Sequence, residues 1–126
     1  MAKLKDYNGH YCESDYENAF LCFLEKADWM YTPGNKIARK SKHDVLIEAD
    51  FKAVLSSENP DLTAEEIAQI YDTVRLAGGE SDFATLHKVY GWMVYGIQFI
   101  PHDGLARMIS LINFDEPGKN IFRAVN

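Results

Sequence analysis

The chain has 126 residues, and its 13 lysines and arginines against 19 acidic residues give a formal net charge of −6. This length predicts a single domain over residues 1–126, and a hydrophobic fraction of 47% supplies a core, which excludes a disordered chain. No apolar run approaches the ~20 residues that span a bilayer, and the N-terminus lacks the apolar segment of a secretory signal. We therefore expect a cytoplasmic protein without a membrane anchor, in which Cys12 and Cys22 are free thiols.

The first predicted element is a helix. Ser14-Asp15-Tyr16-Glu17 has the pattern of a capping box, which predicts that this helix starts at Ser14. Apolar side chains then recur at steps of three and four, as in an amphipathic helix that ends near residue 28: Tyr16, Phe20, Phe23, Leu24 and Ala27. Residues 29–32 are aromatic or β-favouring and Pro33-Gly34-Asn35 is a turn, so a short strand and a tight bend follow.

A short basic strip comes next. It contains four cations and no acid: Lys36, Arg39, Lys40 and Lys42. Such a strip could contact a DNA phosphate backbone, where each contact releases counterions, or it could be an ordinary solvated loop. Both interpretations stay open from the sequence.

The acidic middle of the chain predicts three further helices. Apolar residues between Leu46 and Leu55 support a second helix, which stops before Asn59-Pro60. Thr63-Ala64-Glu65-Glu66 is a second capping box, and the helix that it opens ends at Gly78-Gly79. Ser81-Asp82 can cap a fourth helix, whose apolar residues continue to position 93.

The last third of the chain predicts strands. Runs of β-branched or aromatic residues at 94–100, 105–114 and 121–125 are separated by turns that contain proline and glycine. The middle run is apolar on both faces, which predicts a strand covered on both sides. The order of elements predicts an α+β fold, with an N-terminal helix and a helical middle followed by short strands.

Motifs of the commonest enzyme classes do not occur: the sequence has no Walker loop, Gly-x-Gly-x-x-Gly, Gly-x-Ser-x-Gly or His-Glu-x-x-His. His10 and Cys12 could place two metal ligands on one face, but no further ligands lie nearby, so we expect no metal site there. His87 and His102 have no neighbouring nucleophile, and we expect surface or packing roles.

Asp50-Phe51-Lys52 has the spacing of a nuclease motif, but residues two apart on a helix point to different sides, so we interpret it as a coincidence.

Several segments, taken in order, carry a resemblance to a known family. They are Glu13-Ser14-Asp15-Tyr16-Glu17, Tyr31-Thr32-Pro33-Gly34, Asp50-Phe51-Lys52-Ala53, Asn59-Pro60-Asp61-Leu62-Thr63 and Leu111-Ile112-Asn113-Phe114-Asp115-Glu116-Pro117. Because these segments occur together and in this order, the chain resembles, over nearly its full length, the N-terminal region of the R (restriction and motor) subunit of type I restriction enzymes. The last of these segments is the most specific.

The resemblance implies a Mg²⁺-dependent nuclease domain of the PD-(D/E)xK class, built on a mixed sheet. In the intact subunit this domain precedes an ATP-driven translocase, so ATP belongs to the motor domains and not to this chain. Double-stranded DNA and the modification and specificity subunits are the implied partners. Family members begin with a helix whose Glu lies near the metal, and Glu17 best matches this catalytic and metal-site residue, with Glu13 as the runner-up. Because a capping-box Glu needs no active site, a purely structural role for Glu17 stays open.

Two positions depart from the family pattern, since Asn113 and Ile121 stand where the family usually has acids. The strands with the catalytic Asp and Glu-x-Lys would follow Asn126. We therefore expect an incomplete restriction-endonuclease-like domain that is inactive as the 126-residue chain alone. We expect the full-length protein to be an endonuclease. The alternative is a stand-alone small module that binds DNA or a partner subunit without catalysis.

Overall fold

The computed structural model describes residues 11–39, 41, 44–78 and 82–126. Its helices and strands, in chain order, are α1 (Glu13–Lys26), β1 (Met30–Thr32), α2 (Glu48–Glu58), α3 (Ala64–Gly78), α4 (Phe83–Tyr95), β2 (Ile97–Phe99), β3 (Arg107–Ile109) and β4 (Arg123–Val125). This content confirms the α+β class. The chain divides into two compact units, one formed by residues up to 37 with 122–126 and the other by residues 38–121. Within the described ranges, no helix combines the length and the apolar character that crossing a membrane requires.

In the first unit, α1 packs on a pair of parallel strands. Leu21 is the buried anchor of the helix, with Leu24 and Trp29 packed around it and around Ala124. The aromatic side chains predicted to form the apolar stripe of this helix are instead exposed: Tyr16, Phe20 and Phe23. Each helical residue advances about 100° around the axis, so the face that carries Leu21 turns the aromatic residues away from the small core.

Strands β1 and β4 pair in parallel, with Met30 opposite Arg123 and Thr32 opposite Val125. Arg123 Nη1 donates to Thr32 Oγ1 at 2.6 Å, which adds a side-chain bond to the ladder. Beyond β1, a 3₁₀ turn over Gly34–Lys36 approaches the carbonyl of Asn126, to which the Gly34 amide donates at 3.0 Å. A side chain at position 34 would collide with that carbonyl, so this close approach requires glycine.

In the second unit, α2, α3 and the β2–β3 hairpin enclose the main core. Its buried residues are Leu55, Leu62, Ile67, Ile70, Val74, Ile97 and Ile109, with Trp92 of α4 packed against them. The predicted capping box of α3 is confirmed, because the Glu66 amide donates to Thr63 Oγ1 and the Thr63 amide donates to Glu66 Oε1. Asp82 caps α4 by accepting from the Thr85 amide at 2.9 Å, while Ser81, its neighbour in the prediction, lies outside the described residues.

The strands of the second unit are shorter than predicted. β2 and β3 form an antiparallel hairpin with Ile97 opposite Ile109, and the start of the predicted strand at 94–95 belongs to α4. The prediction of a strand covered on both sides is wrong, because Met108 is 55% exposed and residues 110–114 leave the strand. One face of this two-stranded sheet packs on the helical core and the other face is exposed to water, as antiparallel hairpins allow. The parallel and the antiparallel pair lie in separate sheets, so the described strands do not form the mixed sheet that the resemblance implies.

A buried carboxylate joins α3 to the turn of this hairpin. Glu66 is 7% exposed, accepts from the His102 amide at 3.0 Å and lies 2.9 Å from His102 Nδ1. The donated bonds of Thr63 and His102 hold the pKa of Glu66 at about 2, well below its ordinary value. In return, the carboxylate raises the pKa of His102, whose ring lies at the surface. His102 therefore has a structural role and stabilises the turn.

Candidate functional site

Helix α1 carries the carboxylates predicted to serve a metal, and the structure corrects how this helix begins. It starts at Glu13, with Cys12 in the extended conformation of an N-cap. The Cys12 amide donates to Asp15 Oδ2 at 2.8 Å, and the Cys12 thiol donates to the same oxygen at 3.1 Å. The predicted capping box of Ser14 and Glu17 is therefore wrong. Asp15 caps the helix because its short side chain reaches the amide three residues back once the helix begins at residue 13.

This shift frees Glu17 from the structural role that competed with a functional one. Glu13 and Glu17 are both exposed and four residues apart, so they lie one turn apart on the same face of α1. Within residues 11–39, 41, 44–78 and 82–126, neither carboxylate takes part in a hydrogen bond or an ion pair. Both are open to a ligand from outside.

The described residues do not by themselves complete a metal site. No group of three or more histidines, cysteines, aspartates or glutamates is close enough in this part of the chain to hold a metal ion. Magnesium prefers oxygen ligands and is commonly held by one or two carboxylates together with phosphates and water. Glu17 and Glu13 have the right chemistry for part of such a site. His10, considered with Cys12 as a ligand pair, lies outside the described residues.

The basic strip is only partly described. Lys36 ends the 3₁₀ turn and is exposed, and Arg39 is exposed as well. Lys40 and Lys42 lie outside the described residues. The two described cations are open to solvent, as a contact with phosphate requires, and that contact stays a prediction.

The nuclease-like spacing of Asp50 and Lys52 falls within α2, so the predicted helical placement is confirmed. Lys52 Nζ donates to Glu48 Oε1 at 2.6 Å and lies 5.1 Å from the centre of the Tyr71 ring. The Glu48 carboxylate raises the pKa of Lys52, which holds the ammonium charged. Lys52 therefore belongs to an ion pair on the helix surface.

The second unit contains a cleft of about 300 Å³ that no pattern in the sequence had indicated. Its lining residues come from α2 and from the segment after β3: Val54, Glu58, Ser110, Leu111, Ile112, Asn113, Phe114 and Asp115. This segment coincides with the one that carries the resemblance most specifically. The sequence signal was thus the string of residues that most specifically resembles the family, but nothing in the string indicates that it forms a wall against α2.

The cap assignment is tested by two substitutions in the first turn of α1. We expect Asp15→Ala to lower the free energy of unfolding by about 1 kcal/mol, because the N-cap amide loses its acceptor. Ser14→Ala should change it by less than ~0.5 kcal/mol, as for a surface position. Urea unfolding followed by fluorescence in a Trp92→Phe background, where Trp29 is the only tryptophan, reports on this unit. A larger loss for Ser14→Ala than for Asp15→Ala would restore the capping box at Ser14.

The chain is similar to a known protein family over nearly its whole length. The family described as type I restriction enzyme R protein N terminus matches residues 10–126 of the chain. No curated protein and no solved structure matches the chain. The family match includes both helix carboxylates, the basic strip and the cleft.

Proposed function

The chain belongs to the type I restriction enzyme R protein N-terminal family, and from this premise we propose that it contributes to ATP- and Mg²⁺-dependent cleavage of unmodified double-stranded DNA. The intact R subunit would perform this cleavage in the cytoplasm, in complex with the modification and specificity subunits. ATP would serve the motor domains of that subunit and not this chain. The family match supports this proposal over a stand-alone binding module.

The observation that carries the proposal is the position of Glu17. It is exposed on α1, has no part in the cap and lies one turn from Glu13. We propose that Glu17 provides one carboxylate of the metal site and that other groups of the R subunit and a DNA phosphate complete it. Mg²⁺, when bound, supplies an activated water and neutralises phosphate charge. Because the described residues form only part of a site, the 126-residue chain alone is expected to cleave no DNA.

The basic strip is the part of the chain that we propose for contact with DNA. Lys36 and Arg39 are exposed, and Lys40 and Lys42 extend the same charge along the sequence. Contacts to phosphate carry no sequence information and weaken as salt increases. This fits a subunit that holds DNA without reading its sequence.

Glu17→Gln in the intact R subunit tests the catalytic role. We expect cleavage of unmodified plasmid to fall by at least about 100-fold, because the loss of even a group that only hydrogen-bonds a metal ligand costs about 10–100-fold. ATP hydrolysis by the assembled complex should stay near normal, since it depends on other domains. Stability should change by less than ~0.5 kcal/mol, because Asp15 and not Glu17 caps the helix. Plasmid cleavage and ATP hydrolysis are measured in parallel.

Two further variants complete this experiment. Glu65→Gln makes the same change at an exposed glutamate in the first turn of α3 and should leave cleavage unchanged. Glu13→Gln tests the runner-up. Loss of cleavage with Glu13→Gln and not with Glu17→Gln would transfer the role to Glu13, and full cleavage by both variants would refute a metal-site role for α1.

A further inference from the structure

The cleft between α2 and residues 110–115 combines apolar walls with acidic groups. Val54, Leu111, Ile112 and Phe114 provide the apolar surface, and Glu58 and Asp115 provide carboxylates. Its volume of about 300 Å³ lies at the lower end of the range for ligand pockets, which is about 300–1,000 Å³. That volume suits one long side chain better than a nucleotide cofactor.

The outer wall of the cleft is held in place before any ligand binds. The backbone amide of Asn113 donates to Asn120 Oδ1 at 2.8 Å, and Asn120 Nδ2 donates back to the backbone carbonyl of Asn113 at 2.8 Å. Asn113 Oδ1 accepts from the Glu116 amide at 2.8 Å, which tightens the same turn. These bonds fix the loop that carries Phe114, whose ring is 63% exposed. A pre-formed wall lowers the entropy lost when a partner binds.

The charge in the cleft is negative and open. In the described part of the chain, neither Glu58 nor Asp115 forms an ion pair. The ammonium of Lys119 pairs with Glu116 at 3.1 Å and attracts the Glu58 carboxylate only from beyond ion-pair distance. Glu58 Oε2 accepts from Asn113 Nδ2 at 3.2 Å, a bond that an aspartate at position 113 could not donate when ionised. The amide therefore orients Glu58 without neutralising it. Such a cleft favours a cation and repels a phosphate.

We propose that this cleft binds an arginine side chain presented by a polypeptide segment of a partner protein. The apolar walls would cover the aliphatic stem, and a carboxylate can accept two parallel bonds from a guanidinium. Guanidinium also stacks on an aromatic face, which Phe114 provides, and it is less strongly hydrated than the ammonium of lysine. The cleft is then a protein-docking site, and this assignment does not depend on Glu17 or on the cleavage proposed above.

Three blocked tripeptides with alanine at both ends test the proposal on the 126-residue chain. Their central residue is arginine, lysine or citrulline, which is the uncharged counterpart of arginine. Binding is followed by the backbone amide chemical shifts of the chain in NMR spectra. We expect the arginine peptide to shift the signals of residues 110–115 and of Glu58. Citrulline should bind at least about tenfold more weakly, because a charge-assisted hydrogen bond is lost. The affinity of the lysine peptide should lie between those of the arginine and citrulline peptides.

Variants of the cleft locate the site. Glu58→Gln keeps an oxygen for the Asn113 amide and removes the charge, so the arginine peptide should bind about tenfold more weakly. Phe114→Ala should weaken binding about threefold by removing the stacking partner. Phe83→Ala removes a phenylalanine of α4 that is more exposed than Phe114 and lies outside the cleft, and it should have no effect. The dispersion of each amide spectrum verifies that the variant is folded.

Several results would overturn the proposal. Equal binding of the arginine and citrulline peptides would show that charge does not matter in the cleft. Unchanged affinity in folded Glu58→Gln, or shifts confined to residues outside the cleft, would place the peptide elsewhere. Shifts of the same amides on addition of duplex DNA would make this surface a nucleic-acid contact and not a protein-docking site.

Discussion

Replacing Gly96 with alanine is expected to lower the free energy of unfolding of the second unit by about 3 kcal/mol. Gly96 joins α4 to β2 with φ at 91° and ψ at 172°, a backbone conformation that is essentially restricted to glycine and costs a residue with a side chain about 1–3 kcal/mol. A Cβ at this position would also lie 2.7 Å from the carbonyl oxygen of Ile109. Overpacking of this kind costs about 1–3 kcal/mol, so the expected loss is larger than the backbone conformation alone would cause.

Two other glycines are matched controls for this substitution. Gly104 also has a positive φ, at 81°, but its surroundings are open, so Gly104→Ala should cost only about 1 kcal/mol. Gly91 lies in the middle of α4 with open space around it, and Gly91→Ala should stabilise the helix by about 0.5–1 kcal/mol. Urea unfolding compares all three variants in a Trp29→Phe background, where the fluorescence comes from Trp92 alone. A cost for Gly96→Ala no larger than that for Gly104→Ala would contradict the close approach to Ile109.

Leu55→Ala is expected to destabilise the second unit by about 2–5 kcal/mol. Leu55 is 1% exposed and packs in the core with Ile70 and Ile109. Truncation removes the transfer free energy of the buried methyl groups and leaves a cavity that neighbouring helices fill only in part. This loss is a large share of the total, since domains of this size are stable by only about 5–15 kcal/mol.

The same substitution at Leu76 provides the control. Leu76 lies on α3 and is 69% exposed, so Leu76→Ala should change stability by less than ~0.5 kcal/mol. Both variants are compared with the parent chain by calorimetry and by urea unfolding. Similar midpoints for Leu55→Ala and Leu76→Ala would mean that α2 does not bury Leu55 in a cooperative core.

Features that depend on bonds within one turn of the chain could be predicted from the sequence. Thr63 and Glu66 cap α3 as their spacing indicates, and Asp82 caps α4. The four helices and the strand at 30–32 are near their expected positions, because periodicity and turn residues act locally. The cap of α1 was missed because two overlapping patterns compete there. Asp15 and Glu17 both offer a carboxylate, and the extended backbone of Cys12 decides between them.

The burial of side chains could not be predicted in the same way. The aromatic residues of α1 satisfy a helical period, yet Phe20 is exposed, because the periodicity of a helix does not say which of its faces meets a core. The run at 105–114 was expected to be one long strand, but only three of its residues pair with β2. Strand length depends on the partner, and the hydrogen bonds of a partner are not encoded in the run itself.

Residue patterns were thus sufficient to predict the α+β class, the approximate helix positions, the family and the choice of Glu17 as a candidate. Only the folded chain shows that Glu17 is free of the cap, that Glu66 holds His102 and that Glu58 faces residues 110–115 across a cleft. These last contacts join residues 36 and 55 positions apart. Their energies depend on which surfaces meet after the elements pack, and many alternative pairings satisfy the same local pattern equally well.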